Sequence, residues 1–173
     1  MAVEEQKLVK RSQKVAYMDT ATSAGPASFE RMTGFTALTN AKNPKEYSRQ
    51  YIDEDAERSD VVGYAPSIEF SFDRHLNNKV HEKIVEIFDK ELVGNDTHVD
   101  IVTVDLTKKS GAGEKYHAVK RKYSIVPDSD GDGTDAMIYS GTFKAVGAVE
   151  VGNATFSGND FTKLTYAEGP YEG

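Results

Sequence analysis

The chain has 173 residues, 38% hydrophobic and 28% charged, with nine tyrosines, eight phenylalanines and no cysteine. This length suits one domain of roughly 100–200 residues, and so many aromatic anchors exclude an intrinsically disordered chain. The lack of cysteine removes disulfides, thiolate nucleophiles and zinc–thiolate sites, and 21 basic against 28 acidic residues leave a net charge of −7, which argues against a dedicated nucleic-acid binder.

Residues 2–13 (AVEEQKLVKRSQ) lack the unbroken apolar stretch of a secretory signal, and no run approaches the ~18 apolar residues of a membrane span. The expectation is a protein made and kept in solution, with no membrane insertion. Residues 1–30 are polar and rich in small residues, with one strand-like stretch at Val15–Met18, and read as an extended N-terminal arm. Residues 31–173 then form a single β domain.

Strand patterns run from Met32 to Leu38 and from Tyr47 to Asp53. The clearest half-buried strand is Ser67–Asp73, where Ile68, Phe70 and Phe72 alternate with polar residues. Asp53–Pro66 reads as a long connecting loop dense in acid (Asp53, Glu54, Asp55, Glu57 and Asp60 against Arg58) and ending near Tyr64, and loops of that length are often functional. The spacing of Val80, Ile84, Ile87, Phe88 and Leu92 predicts one helix over about residues 77–93, capped by Asn77 or Asn78 and ended by Gly94. Strands follow at His98–Leu106, Tyr116–Val126, Ala136–Val151 and Phe161–Tyr166. The fold class is therefore mainly β: about seven strands with one flanking helix.

Motifs that could carry chemistry are incomplete. Asp128, Asp130 and Asp132 match the first half of a calcium loop, but the twelfth position is Tyr139 and the flanks read as strands, so an Asp-Gly hairpin turn is the competing and preferred reading. His81-Glu82 begins a zinc-protease helix, yet Val85 stands where the second histidine belongs, and the remaining histidines read as surface or interface residues. Gly111-Ala112-Gly113 starts like a dinucleotide loop and then runs into Tyr116 and a strand. No catalytic residue, metal or cofactor is expected. Lys108–Lys122 is the most basic stretch, and Lys115, Lys120, Arg121 and Lys122 form a candidate basic strand that could meet the acidic Asp53–Asp60 loop of another copy.

The stretch from Asn43 to Asp55, continuing through Ser59–Pro66 to Phe72, together with the helix and Val99–Val102, resembles the major tail tube proteins of long-tailed (siphovirus-like) bacteriophages of Gram-positive bacteria. The resemblance covers about the middle third closely and the C-terminal strands in general pattern. It implies a two-sheet β-sandwich or barrel with a flanking helix and six copies in a ring whose inner strands join into one barrel. Stacked rings would then form a tube through which DNA is ejected. The arm and the Asp53–Pro66 loop would reach the adjacent ring, and an acidic lumen would let DNA pass without sequence-specific binding. Implied partners are other copies, the tape measure, the tail tip and the tail terminator. The implied location is the virion tail, assembled in the host bacterial cytoplasm. The same subunit design serves contractile tails, phage-like bacteriocins and type VI-like injection machines. A calcium-dependent β binding module is the alternative from another class.

Overall fold

A computed structural model describes residues 5–22, 24–110, 114–131, 133–158 and 160–171. Among these residues eleven strands and one α-helix form. The strands are β1 (Lys14–Asp19), β2 (Phe29–Arg31), β3 (Phe35–Ala41), β4 (Pro44–Arg49), β5 (Arg58–Tyr64) and β6 (Ser67–Asp73), then, beyond helix α1 (Lys79–Lys90), β7 (His98–Lys109), β8 (Tyr116–Asp130), β9 (Ile138–Ala145), β10 (Glu150–Phe156) and β11 (Lys163–Glu168).

Nine strands share one antiparallel sheet in the order β10-β11-β2-β1-β7-β8-β9-β6-β3. An additional pairing of β10 with β8 closes six of them into a barrel. The fifteen-residue β8 makes this possible, because one of its edges carries β10 along Tyr116–Lys120 and β9 along Tyr123–Asp130. The sheet thus branches: one arm closes the barrel, and the other extends through β9 and β6 to β3, whose outer edge pairs with no strand among the described residues.

Strand alternation then builds two cores on opposite faces of the same central strands. Val15 and Tyr17 of β1 point into the barrel with Val102, Val104, Ala118, Ala154 and Leu164. Their neighbour Met18 points the other way and joins Ile101, Tyr123, Ile125, Phe70, Phe72 and Phe143 under the helix. Burial on both faces explains why β1 reads as a continuous apolar run, Val15–Met18, rather than an alternating one.

Helix α1 closes the second core with Val80, Ile84, Val85 and Ile87, each almost fully removed from water and worth roughly 1.5–3 kcal/mol. The Asn78 side-chain oxygen accepts from the backbone N–H groups of Val80 and His81, capping the first turn. The helix stops earlier than its apolar spacing predicts. Glu91 turns left-handed (φ 49°) and its N–H bonds back to Ile87 and Phe88, whereas Gly94 opens the following 3₁₀ turn. Leu92 still packs on the core from beyond the helix. Gly141 in β9 sits where no side chain fits, since a Cβ would lie 2.6 Å from the Val126 carbonyl oxygen and 2.9 Å from the Phe70 ring.

Several expectations need correction. Residues 1–30 are not wholly an arm: β1 lies between β7 and β2, with Tyr17 and Met18 fully buried, so that of the described residues only those from Glu5 to about Gln13 precede the sheet. The strand expected at Met32–Leu38 begins only at Phe35, after a turn in which Gly34 has φ 76°, and that expected at Tyr47–Asp53 ends at Arg49. The long run from Ala136 to Val151 is split by a turn into β9 and β10. The Asp53–Pro66 segment is not a loop throughout, because Arg58–Tyr64 is strand β5, paired with β4.

Candidate functional site

Strands β4 and β5 form a two-stranded sheet of their own. It continues the β3–β6 hairpin outward across a joint at Asn43, which is left-handed (φ 44°) and whose side-chain amide donates to the Ala65 carbonyl and to Ser67. A register shift between Lys45 and Glu46 bends it further. Every residue of β4, and all of β5 except Gly63, is exposed. An isolated two-stranded hairpin is at best marginally stable in water. This one also displays large apolar side chains on its surface: Tyr47, Tyr51, Val61, Val62 and Tyr64, with Ile52 fully exposed at 108% of its reference area. Exposed apolar area concentrated on one projection marks a contact surface.

The tip is ordered by its own bonds. The Glu54 N–H donates to the Tyr51 carbonyl at 3.1 Å, making a turn with Ile52 and Asp53 at its corners. Arg58 pairs with Glu54 across the tip. Asp53, Asp55, Glu57 and Asp60 are exposed and make no ion pair among the described residues. The sequence-predicted acidic residues and Tyr64 are therefore brought together on one projecting hairpin.

The predicted basic strand is not brought together in that way. Alternation along β8 sends Lys120 and Lys122 to one face and Arg121 to the other. Lys120 lies 2.7 Å from Glu150 and 5.0 Å over the Tyr166 ring, and the hydrogen bond to Glu150 raises its pKa despite partial burial. Arg121 donates from Nε to the Gly147 carbonyl at 2.9 Å. These two cations are engaged within the subunit. Lys122 is exposed, and Lys115 precedes the strand.

Asp128 and Asp130 lie at the end of β8, in strand rather than in a loop between helices, while Asp132 lies outside the described residues, as do Gly111–Gly113. Among the described residues no three His, Asp or Glu side chains are placed to hold a metal ion. No helix is long and apolar enough to cross a membrane.

Three features escaped the sequence. His81, which the sequence offers only as half of an incomplete metal motif, is fully buried: its Nδ1 accepts from the His75 backbone N–H at 3.0 Å and its Nε2–H donates to the Thr33 carbonyl at 2.8 Å, which ties α1 to the turn before β3. A groove of about 460 Å³, continuous with a second limb of about 380 Å³, runs between β1 and β3, with Arg11, Lys14, Arg31 and Lys42 around it and Ala16, Met32 and Leu38 in its floor. Finally, the outward face of the β3-β6-β9 extension carries mostly small hydroxyl side chains, with Ser67 and the exposed Lys144 in one row, Thr39, Glu69 and Thr142 in the next and Ser71 and Ser140 beyond. Sequence periodicity could have found only the last.

No protein-family model matches the chain, and no curated protein matches it in sequence. Solved structures do match its fold. A chain in the tail of the empty gene transfer agent particle, solved by helical refinement with C6 symmetry, aligns at TM-score 0.57 and 15% identity over 87% of this chain and 100% of that one. A chain in the virion of the native gene transfer agent particle aligns at TM-score 0.57 and 13% identity over 83% and 98%. A chain in the anti-feeding prophage baseplate aligns at TM-score 0.48 and 6% identity, too low to argue from. The six-stranded barrel with extra strands and a covering helix is thus a fold shared with these tail and virion chains, mainly β as the resemblance implies.

Proposed function

We propose that this protein is a structural subunit of a phage-type tail tube, self-assembling into stacked rings and performing no catalysis. The observation that carries the proposal is the β4–β5 hairpin, exposed on both faces and tipped by an uncovered isoleucine, on a fold shared with a tail chain of a six-fold symmetric particle. A projection of that kind gains its burial from a neighbour. The outer edge of β3, paired with no described strand, fits the same reading, since open sheet edges are liabilities unless another strand or subunit covers them.

In this reading rings are hexameric, and the β3-β6-β9 face, with its serine and threonine rows, lines a lumen through which DNA passes. Short hydroxyl side chains offer a hydrated wall, and Glu69 beside Lys144 leaves it without the excess positive charge that would hold phosphate. Tape measure, tip and terminator proteins would then meet the same tube at its core and ends, in a virion tail assembled in the bacterial cytoplasm.

Sedimentation velocity of the whole protein against a variant with residues 44–64 replaced by a short Gly-Ser link tests this. The hairpin packs chiefly on itself, so the variant should unfold at nearly the same temperature while losing all higher assembly. Equal assembly with and without the hairpin would remove the observation on which the proposal stands.

A further inference from the structure

We infer that the groove between β1 and β3 is the socket for the β4–β5 hairpin tip of a second copy of this chain, an inference that rests on the self-assembly reading above. The groove and the tip complement each other in charge and in apolar character. Arg11, Lys14, Arg31 and Lys42 surround the groove, and among the described residues no carboxylate lines it. None of these four cations forms an ion pair among the described residues, in contrast to Lys120. The tip offers Asp53, Asp55 and Glu57 around Ile52, and the groove floor offers Met32, Leu38 and Ala16 to receive that side chain.

The occupant must come from another copy. Tip residues do not line the groove of their own subunit, and the six residues of β4 carry the tip roughly 20 Å outward at ~3.3 Å per residue. Plug and socket are different surfaces of one molecule, so the contact is heterologous: each copy gives a tip and receives one, which produces rings or an open stack rather than a closed dimer. The acidic hairpin thus has a different partner surface from the β8 cations, two of which are held by Glu150 and the Gly147 carbonyl.

Charge exchange tests the pairing. R11E/K42E and D53K/D55K all alter exposed positions, and circular dichroism with thermal unfolding checks that each variant folds. Each pair should raise the concentration needed for assembly by about tenfold or more, and the four changes together should restore it toward the unaltered value. Ile52→Ser, which removes a side chain without intramolecular cover, should raise it about ten- to a hundredfold. Assembly of R11E/K42E at the unaltered concentration would overturn the socket, as would failure of the combined variant to recover. Either result would assign the groove to another occupant and leave the tube reading standing. An unaltered protein that never assembles would instead overturn the tube reading, and the socket with it.

Discussion

Replacing His81 by phenylalanine separates the shape of that ring from its two nitrogens. The imidazole is fully buried at the start of α1, stacked 4.3 Å from Phe72 and edge-on to Phe35 at 5.6 Å. Phenylalanine keeps those contacts but leaves the His75 N–H and the Thr33 carbonyl without the partners they now have at 3.0 and 2.8 Å. An unpaired His75 N–H, and a Thr33 carbonyl left with only the long 3.5 Å bond from the Asn78 amide, cost about 2–4 kcal/mol together. For a chain of this size that lowers the melting temperature by roughly 5–15 °C. A second readout is pH. Burial holds the His81 pKa below the 6.5 of a solvated imidazole, the hydrogen bond to Thr33 opposes that shift, and positive charge at His75 and Arg74 adds to it. The unfolded chain therefore takes up a proton near 6.5 that the folded protein refuses. Stability is complete above 6.5 and declines as pH falls from there to the folded value, by no more than about 1.4 kcal/mol per pH unit. Urea denaturation between roughly pH 5 and 8, below the concentration of assembly, measures both effects. In His81→Phe this component of the slope should vanish. Equal pH slopes in the two proteins, or equal stability at neutral pH, would refute the reasoning.

Tyr17 donates its hydroxyl to the Phe161 carbonyl at 2.7 Å inside the barrel, so Tyr17→Phe should lose about 1 kcal/mol in denaturant unfolding. Burial pushes the same phenol up to about 12, with Arg31 opposing and Asp160 adding, and an alkaline ultraviolet titration should show a late-ionising component at about 12 that Tyr17→Phe removes. Gly141→Ala puts a methyl group against the Val126 carbonyl and the Phe70 ring, and thermal unfolding should register a loss of more than about 2 kcal/mol. Lys120→Met breaks a partly exposed pair with Glu150 and should change stability by less than about 1 kcal/mol. A much larger loss would mean that the barrel mouth depends on that cation.

Local signals were legible wherever one face of an element is wet. Ile68, Phe70 and Phe72 alternate because β6 has one buried face, and Val80, Ile84 and Ile87 repeat because α1 lies on a sheet. Strand β1 obscured its role because both of its faces are buried, one in the barrel and one under the helix. For the same reason Val15–Met18 looked like an isolated stretch within an arm. The hairpin misled in the opposite direction: Arg58–Tyr64 has no buried face in the subunit and so shows little of the alternation that marks a strand. Its acidic residues were still readable as a cluster. The groove was not, because Arg11, Lys14, Arg31 and Lys42 lie on separate segments that only the fold brings around one floor. The β8 cations illustrate the converse, since adjacency in sequence places Lys120 and Arg121 on opposite sides of a strand.

Negative-stain electron microscopy of the purified protein, taken from dilute to concentrated, bears most directly on the tube. The account predicts rings of uniform diameter that stack into hollow tubes, with the hairpin-deleted variant remaining as single particles on the same grids. A strictly monomeric unaltered protein at every concentration would contradict it.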